Sequence, residues 1–420
     1  MNGFLVAAPS SGAGKTLVTL GLLRALFRAG VPLAPAKAGP DYIDPRFHEK
    51  ACGKACVNLD PWAMGTGRLH ALTRSREGML VVEAMMGLFD GAADGTGTPA
   101  DLAATLNLPV VLVVDCARMS HSVAALAHGF ATWRADVRLA GLILNRVASD
   151  RHERMLRGAL ADVSVLGVLR RDPALTLPER HLGLVQAVEH AELDTVVERA
   201  ADAVDAGVDL DALCALTCSP SAGGGKRMAP LAQRIAIADD VAFGFRYPHM
   251  LDDWRAQGAE LSFFSPLANA APEPDAAVFL PGGYPELHAG RIAAASGFLD
   301  GLRRAPRVYG ECGGYMVMGE GLVDAGGERH AMAGLLPLET SFAKRRLHLG
   351  YRRLRPLGEG PLGSEPLRAH EFHYASIVRE GKAERLFAVT DAEGTQLPPA
   401  GLRVGGACGS FMHAIDRDAA

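Results

Sequence analysis

The sequence predicts an α/β protein made of two doubly wound domains. In the first half, short runs rich in Val, Leu and Ile alternate with longer helical patterns, which is typical of a parallel sheet covered by helices on both faces. A chain of 420 residues exceeds what one hydrophobic core usually supports, and the strand-then-turn pattern returns in the second half. We therefore predict domains over residues 1–200 and 231–420, joined by a linker over residues 201–230.

Six apolar runs predict the buried strands of the first domain. They are GFLVAA (3–8), VPLAPAK (31–37), GMLVVEAM (78–85), PVVLVVD (109–115), VRLAGLILNR (137–146) and VSVLGVLR (163–170). Helices are predicted between them, for example over residues 16–29 and 122–134.

The linker is predicted from TCSPSAGGGKRMAP (217–230), whose Ser, Gly and Pro content is typical of a flexible connection. An acidic, Ala-rich helical pattern precedes it. After it, strand-then-turn units predict a second α/β domain. These units are QRIAIADD (233–240), AELSFFS (259–265), DAAVFLPGG (275–283) and PRVYGECGG (306–314).

Composition excludes several classes of protein. Hydrophobic residues make up 49% of the chain and charged residues 21%, as in ordinary globular proteins. The net charge of -4 and the scattered Arg residues argue against a nucleic-acid partner. The first residues show neither a signal peptide nor a spanning helix, and seven cysteines favour reduced thiols over a disulfide framework. We expect a cytoplasmic protein with no membrane partner.

A turn after the first predicted strand is suited to binding phosphate. GFLVAA leads through a Ser and Gly turn into a helix that opens with Lys15 and Thr16. Such a turn points backbone N–H groups and a helix N-terminus at an anion, while Lys15 supplies charge and Thr16 a hydroxyl for a magnesium ion. Pro9 replaces the first glycine of the usual motif. A plain β-to-α turn is the alternative.

Acidic residues near other strand ends are candidate metal or substrate ligands. Glu83 lies inside a Val and Met strand, where an unpaired carboxylate is costly. It is a candidate magnesium ligand, although a Glu at a solvated strand tip is the alternative. KAGPDYIDPRFH (37–48) places functional side chains in a loop at a strand's carboxyl end, but its acids could serve only as turn formers. These side chains are Lys37, Asp41, Tyr42, Asp44 and His48.

A second turn, around Cys312, has the pattern G-x-C-x-G. A strand-to-helix elbow of this kind is expected to expose the thiol at a helix N-terminus, where the dipole lowers its pKa and the N–H of Gly313 can face an oxyanion. A thiol nucleophile needs a base, and His413, His370 and His373 are the candidates. A buried cysteine without a role is the alternative for Cys312.

Four segments of the first half resemble the N-terminal domain of cobyrinic acid a,c-diamide synthases, which are relatives of dethiobiotin synthetase. They are KAGPDYIDPRFH (37–48), NLDPWAMG (58–65), EAMMGLFDG (83–91) and DCARMSHSVAALAHGF (115–130). The resemblance implies a P-loop, dethiobiotin-synthetase-like parallel sheet, in which an altered phosphate loop is usual. It implies ATP and Mg²⁺ at the phosphate turn, adenine beside one strand end, and a corrinoid beside the 37–48 loop. The residues concerned are Gly12, Ala13, Gly14, Lys15, Thr16 and Asn145 for ATP, Thr16, Asp44 and Glu83 for the metal, and Lys37, Asp41 and Tyr42 for the substrate.

The second half resembles the class I (triad) glutamine amidotransferase domains of the cobyrinic and cobyric acid synthases, which have a flavodoxin-like fold. The matching segments are AFGFRYPHMLDDWRAQGAEL (242–261), LPGGYPELHA (280–289), GECGGYM (310–316), HEFHY (370–374) and GSFMHA (409–414). The resemblance implies Cys312 as nucleophile, His413 as its base, and Gly283 with Gly313 as oxyanion donors. The His-x-Glu of most triad enzymes reads His413, Ala414, Ile415 here, so the orienting carboxylate is expected to be missing and unaided glutaminase activity low.

Together these features predict an ATP-dependent amidation of the a and c acetate groups of hydrogenobyrinic or cobyrinic acid, with L-glutamine as the ammonia donor. We expect a homodimer. Cobyric acid synthase and nickel-sirohydrochlorin a,c-diamide synthase are alternatives within this class. A partitioning-type ATPase switch is the alternative from a different class.

Overall fold

The computed structural model describes residues 1–175, 179–180, 183–184 and 192–418 and divides into two units. Seven parallel strands form the central sheet of the first unit. The first unit is Met1–Gly225 and the second is Lys226–Ala420. The boundary falls inside the predicted linker, of which the first residues belong to helices of the first unit.

The sheet of the first unit has the order β3-β2-β4-β1-β5-β6-β7. Its strands are β1 (Gly3–Ala7), β2 (Leu33–Ala38), β3 (Val57–Leu59), β4 (Met79–Glu83), β5 (Val110–Asp115), β6 (Leu139–Val147) and β7 (Val165–Arg170); the two-residue strands β8 (Glu179–Arg180) and β9 (Gly183–Leu184) pair separately. All six predicted strands are present. The short strand β3 was not predicted.

Helices cover this sheet, and one close contact between two of them requires a glycine. The helices are α1 (Lys15–Arg28), α2 (Asp44–Cys52), α3 (Thr66–Arg74), α4 (Pro99–Leu106), α5 (Val123–Thr132), α6 (Asp150–Ala159), α7 (Leu193–Gly207) and α8 (Leu210–Cys214). Helix α1 packs against α7, and a Cβ atom at Gly21 of α1 would come 2.7 Å from the carbonyl oxygen of Ala200. Ion pairs from Arg28 to Asp202 and Asp205 support the same contact.

The second unit contains a ten-stranded sheet of order β11-β10-β12-β13-β22-β21-β20-β17-β18-β23. Its elements are β10 (Arg234–Ala238), α9 (Pro248–Ala256), β11 (Glu260–Phe264), β12 (Ala277–Leu280), α10 (Ala289–Ala294), α11 (Ser296–Arg304), β13 (Val308–Glu311), α12 (Gly313–Met318), β17 (His348–Pro356), β18 (Leu367–His373), β20 (Glu384–Asp391), β21 (Gln396–Val404), β22 (Ala407–Ser410) and β23 (Met412–Arg417). A separate four-stranded sheet contains β14 (Gly321–Val323), β15 (Arg329–Ala331), β16 (Leu338–Ser341) and β19 (Ser376–Glu380).

The two halves of the ten-stranded sheet differ in strand direction. From β11 to β22 the strands are parallel, as the sequence predicts for an α/β domain, whereas from β22 to β23 they are antiparallel. The predicted α/β class is confirmed for both units. The antiparallel half was not predicted, and it carries the three candidate histidines on β18 and β23.

The structure also bears on the expected reduced thiols and on the expectation that the chain has no membrane-spanning helix. The seven cysteines are free thiols, as predicted. Within the described ranges, none of the helices combines the length and the apolar composition that a membrane span requires.

Candidate functional site

The phosphate turn of the first unit lies between β1 and α1 and adopts backbone angles that require glycine. Gly12 and Gly14 have φ of 82° and 85°, in the left-handed region that disfavours other residues. Gly14 also lies against Asn145, because a Cβ atom at Gly14 would come 2.4 Å from Asn145 Nδ2. The Asn145 amide donates a hydrogen bond to the Ala13 carbonyl at 2.9 Å. In the structure Asn145 therefore fixes the turn, and contact with adenine remains a prediction.

Lys15 opens helix α1 and is almost completely buried. Its Nζ donates a hydrogen bond to the carbonyl oxygen of Met86 at 2.6 Å. Burial, followed by repulsion from Lys37, lowers the pKa of Lys15 to about 8. The side chain thus remains largely protonated near neutral pH, next to the turn that a phosphate group would occupy.

Glu83, the last residue of β4, is the centre of a buried polar cluster. Its side chain is fully buried and accepts a hydrogen bond from the Thr16 hydroxyl at 2.7 Å. Lys37 Nζ lies 3.1 Å from one carboxylate oxygen, and His48 Nε2 lies 2.6 Å from the other. Burial would raise the pKa of Glu83, but the charge of Lys37 and the His48 hydrogen bond outweigh it and hold that pKa below its usual range. Glu83 is therefore ionised.

Asp44, at the start of α2, forms an ion pair with Lys37 inside the same cluster. Burial, together with the nearby Asp41, raises the pKa of Asp44. The hydroxyl of Thr16 and the carboxylates of Asp44 and Glu83 are hard oxygen donors of the kind that Mg²⁺ prefers. The residues present fit a magnesium ion, and Lys37 pairs with both carboxylates in this structure.

Asp41 and Tyr42, the predicted corrinoid contacts, precede this cluster. One carboxylate oxygen of Asp41 accepts the backbone N–H groups of Ile43 and Asp44 at 2.8 and 3.1 Å, so Asp41 shapes the turn that begins α2. The Tyr42 ring is buried. Of the two roles that the sequence leaves open for Asp41, the structure shows the turn, and contact with substrate remains a prediction.

His48 is a candidate side chain of the 37–48 loop for which the sequence predicts no role. The structure places it on α2, where one ring nitrogen meets Glu83 and the other lies 3.3 Å from Cys56 Sγ. The spacing of Asp44 and His48, four residues apart on one helix, was the available signal, because such residues share a helix face.

The second unit contains a strand-to-helix elbow at Cys312, between β13 and α12. Cys312 has φ 46° and ψ -105°, a strained conformation for a residue with a side chain. Two neighbouring glycines make the elbow possible. A Cβ atom at Gly310 would lie 2.9 Å from the Gly314 carbonyl carbon, and one at Gly314 would lie 2.0 Å from the Leu280 carbonyl oxygen. The small residues of G-x-C-x-G are thus required by packing.

The environment of the Cys312 thiol differs from the sequence-based expectation. The residue is buried, with 3% of its surface exposed. Burial, then the charge of Glu286, raises the pKa of Cys312 well above its usual range, although a hydrogen bond from the Gly313 N–H opposes this. The expectation of an exposed thiol with a lowered pKa is wrong, because the cost of desolvation exceeds the effect of the short helix. The thiol needs a base to become a nucleophile.

His413 is the histidine that lies beside the elbow. A Cβ atom at Gly282 would come 2.2 Å from His413 Cε1, 3.0 Å from His413 Nε2 and 3.3 Å from Cys312 Cβ, so both side chains flank Gly282. Burial, then the charges of His370 and His373, lowers the pKa of His413 to about 3. The imidazole is therefore neutral and able to accept a proton.

The two competing histidines are held by other contacts. His370 is paired with His413 in the β18–β23 register and packs against the rings of Tyr351 and Phe372. His373 lies 3.2 Å from a Glu371 carboxylate oxygen and stacks on Phe411. The contacts around Gly282 support His413 as the base.

The predicted oxyanion donors, Gly283 and Gly313, are close neighbours. A Cβ atom at Gly313 would lie 3.1 Å from the Gly283 backbone nitrogen, and one at Gly283 would lie 2.1 Å from the Ala242 carbonyl oxygen. The backbones of these two glycines therefore lie together near the elbow, and their role as oxyanion donors remains a prediction.

One buried carboxylate near His413 was not anticipated. Glu311, the residue before the thiol, has a carboxylate oxygen 3.8 Å from His413 Nδ1. The available sequence signal was the same as for Glu83, because Glu311 is an acidic residue at the end of a predicted strand.

Comparison with known families assigns both halves of the chain. Residues 4–185 match the family model described as the CobQ/CobB/MinD/ParA nucleotide binding domain. Residues 234–419 match the one described as the CobB/CobQ-like glutamine amidotransferase domain.

Several curated proteins are similar to this chain over its whole length. A protein of Brucella suis biovar 1 (strain 1330) is 62% identical, with 99% of each chain covered. One of Rhizobium meliloti (strain 1021) is 60% identical, again with 99% of each covered, and one of Rhodobacter capsulatus is 52% identical, with 98% of each covered. Each is named hydrogenobyrinate a,c-diamide synthase.

Substitution of Gly14 tests the phosphate turn. Gly14→Ala should weaken ATP binding at least about tenfold more than Gly12→Ala, a difference of about 1.4 kcal/mol. Both glycines have left-handed backbones, and a Cβ atom at Gly12 would meet nothing within 4 Å, so only Gly14→Ala displaces Asn145. Titration calorimetry with ATP measures the difference. Equal affinities would contradict a role for the Asn145 contact.

Substitution of Gly282 tests the pairing of thiol and base. In Gly282→Ala the new methyl group would displace the His413 ring, and a misplacement of about 1 Å typically costs about 100-fold in rate. Glutamate release from glutamine should therefore fall by about that factor. Gly290→Ala in α10 is the matched control, because its Cβ atom would make only an ordinary contact with His330 at 3.5 Å. An unchanged rate in Gly282→Ala would exclude His413 as the base.

Proposed function

Because the chain belongs to the hydrogenobyrinate a,c-diamide synthase family, we propose that it amidates the a and c acetate carboxylates of hydrogenobyrinic acid with ATP and glutamine. The enzyme is a glutamine-hydrolysing amidoligase. The observation that supports this best is the presence, in one chain, of a phosphate turn with buried oxygen ligands and of a thiol elbow beside a neutral histidine. Neither centre alone explains the reaction.

The first unit would activate the carboxylate. A substrate carboxylate oxygen attacks the γ-phosphorus of ATP, the bond to the β-phosphate oxygen breaks, and an acyl phosphate and ADP form. Lys15 and the backbone N–H groups of the turn stabilise the charge on the phosphate oxygens. Thr16, Asp44 and Glu83 would hold Mg²⁺, which when bound neutralises phosphate charge.

The second unit would release ammonia from glutamine. The Cys312 sulfur attacks the amide carbon while its proton passes to His413, and the N–H groups of Gly283 and Gly313 stabilise the resulting oxyanion. His413 then protonates the departing nitrogen, which leaves as ammonia, and water cleaves the thioester to glutamate. Ammonia displaces phosphate from the acyl phosphate in the first unit and forms the amide.

The identity of the substrate is supported by the names of the relatives. All three relatives described above are named for hydrogenobyrinate, which favours this acid over cobyrinic acid and over the substrates of the two alternatives within the class. A partitioning-type ATPase switch would not need the amidotransferase domain that residues 234–419 match, so this alternative is disfavoured. We also propose that the protein is a cytoplasmic homodimer, and light scattering on the purified protein tests the dimer.

Product analysis tests the overall reaction. With ATP, magnesium and glutamine, hydrogenobyrinic acid should undergo two successive amidations, seen by mass spectrometry as the replacement of two hydroxyl groups by amino groups. Cobyrinic acid in a parallel reaction tests the preference for the metal-free ring. Amidation at any other number of positions would contradict the a,c assignment.

Single substitutions test the division of labour between the units. Cys312→Ala should abolish glutamine-dependent amidation and keep the reaction driven by added ammonia, because only the nitrogen source is lost. Lys15→Ala should lower both reactions by at least about 100-fold, because charge stabilisation on the transferred phosphate is lost. Loss of the ammonia-driven reaction in folded Cys312→Ala would contradict separate centres.

A further inference from the structure

The sequence lacks the carboxylate that orients the base in most triad amidotransferases. That carboxylate is expected two residues after the histidine, where this chain has Ile415. The Ile415 side chain is fully buried in the core of the second unit. No acidic side chain can therefore come from this position of β23.

Glu311 brings a carboxylate to the same histidine from a different strand. It is the last residue of β13 and immediately precedes the nucleophile, and only 2% of its surface is exposed. One carboxylate oxygen accepts the Tyr309 hydroxyl at 2.8 Å and the Ala414 backbone N–H at 3.1 Å. The other oxygen lies 3.8 Å from His413 Nδ1.

The two contacts of Glu311 fix it relative to the base. The bond from the Ala414 N–H ties the carboxylate to the strand that carries His413, one residue away from the ring. On the other side of that ring, Nε2 faces Gly282 and the elbow. The imidazole thus lies with Nδ1 toward Glu311 and Nε2 toward Gly282, the glycine that also borders the Cys312 Cβ atom. This placement is compatible with the order of acid–base–nucleophile triads.

We propose that Glu311 is the positioning residue of the glutaminase centre, and that its carboxylate holds His413 with the proton on Nδ1, so that Nε2 accepts the Cys312 proton. This inference rests on the proposed function of Cys312 and His413. In the active form Glu311 is ionised, and it keeps this charge through the reaction. The proton moves from sulfur to Nε2 and then to the leaving nitrogen, while the carboxylate stabilises the imidazolium that exists between these steps.

The electrostatics of the centre give this role a pH signature. Burial raises the pKa of Glu311 to about 8, although bonds from Ala414 and Tyr309 oppose this. The groups around Glu311 and its histidine are Tyr309 on β13, His370 and His373 on β18, and Cys312 with Glu286 at the elbow. The pKa of Cys312 lies well above this range. The ionised, orienting form of Glu311 therefore accumulates as pH rises toward 8.

A structural role is the rival explanation. Glu311 could serve only to satisfy the buried Tyr309 hydroxyl and the Ala414 N–H, since unsatisfied buried polar groups are costly. Glutamine at position 311 would still accept both of these bonds through its carbonyl oxygen. Its amide nitrogen would donate to His413 Nδ1 and place the ring proton on Nε2, where the thiol proton could not be accepted.

Kinetics of Glu311→Gln distinguish the two roles. We expect kcat for glutamine hydrolysis to fall at least about 100-fold, with KM for glutamine changed less than about threefold and the ammonia-driven amidation unchanged. In the parent, kcat/KM for glutamine should rise between pH 6.5 and about 8, and this rise should be absent in the variant. Thermal melting confirms that the variant is folded.

Two further variants serve as controls. Tyr309→Phe removes one of the two bonds that hold Glu311 but keeps its charge beside His413, so kcat should fall less than about tenfold, well short of the loss in Glu311→Gln. Glu311→Asp keeps the charge on a shorter side chain and should retain part of the activity and the rise with pH. Cys312→Ala in the same assay reports on the proposed function separately: if it still uses glutamine, the glutaminase assignment fails, whatever Glu311 does.

The result that would overturn the inference is a folded Glu311→Gln protein with kcat within about threefold of the parent and the same pH profile, while Cys312→Ala is inactive. A direct measurement covers the case in which Glu311→Gln does not fold. The ¹⁵N spectrum of histidine-labelled parent enzyme at pH 8.5, with the resonance assigned from His413→Gln, should show the His413 proton on Nδ1. A proton on Nε2 would refute the proposal.

Discussion

Parallel strands bring their carboxyl ends to one edge of a sheet, and both chemical centres depend on this constraint. In the first unit, β4 lies between β1 and β2, and the register pairs Glu83 with Lys37 and with Val6. The backbone pairing of these strands therefore brings the phosphate turn, the buried lysine and the buried acid together. In the second unit, Gly282 and Cys312 follow the carboxyl ends of the adjacent strands β12 and β13 in the same way. Strand order thus places the reacting groups, and the side chains around these groups set the protonation states of the groups.

Burial has opposite consequences at the two centres. In the first unit, two carboxylates and a lysine are buried together, so opposite charges offset the desolvation of each ion, and Lys37 and Glu83 remain charged. In the second unit, burial raises the pKa of the Cys312 thiol and lowers that of His413 to about 3. Both of these groups are neutral at rest. The first centre is thus prepared for a highly charged nucleotide, whereas the second keeps its nucleophile unreactive until proton transfer is coupled to attack.

Local signals in the sequence predicted most of the framework, and long-range contacts account for what was missed. Apolar runs identified the six long strands of the first unit, and glycine patterns identified both turns. The antiparallel half of the second sheet was missed because strands such as β17 contain few buried residues and several arginines. His48 meets Glu83 across 35 residues, and Glu311 meets Ala414 across 103; such pairs depend on sheet order, which no local pattern contains. The elbow motif predicted the turn at Cys312 but not the packing that covers it.

The place of Glu311 shows that an orienting carboxylate is defined by space and not by sequence spacing. A carboxylate two residues after the histidine would come from β23, whereas Glu311 comes from β13 and is held near the ring by its bond from the Ala414 backbone N–H. The position of Glu311 on β13 has a cost, because a negative charge next to Cys312 helps to raise the pKa of the thiol. The same charge would stabilise the His413 imidazolium. Thiolate formation alone is therefore disfavoured, while transfer of the proton to His413 during attack on glutamine is not. Such a balance would account for the low unaided glutaminase activity that the missing His-x-Glu carboxylate implies, without requiring a loosely held base.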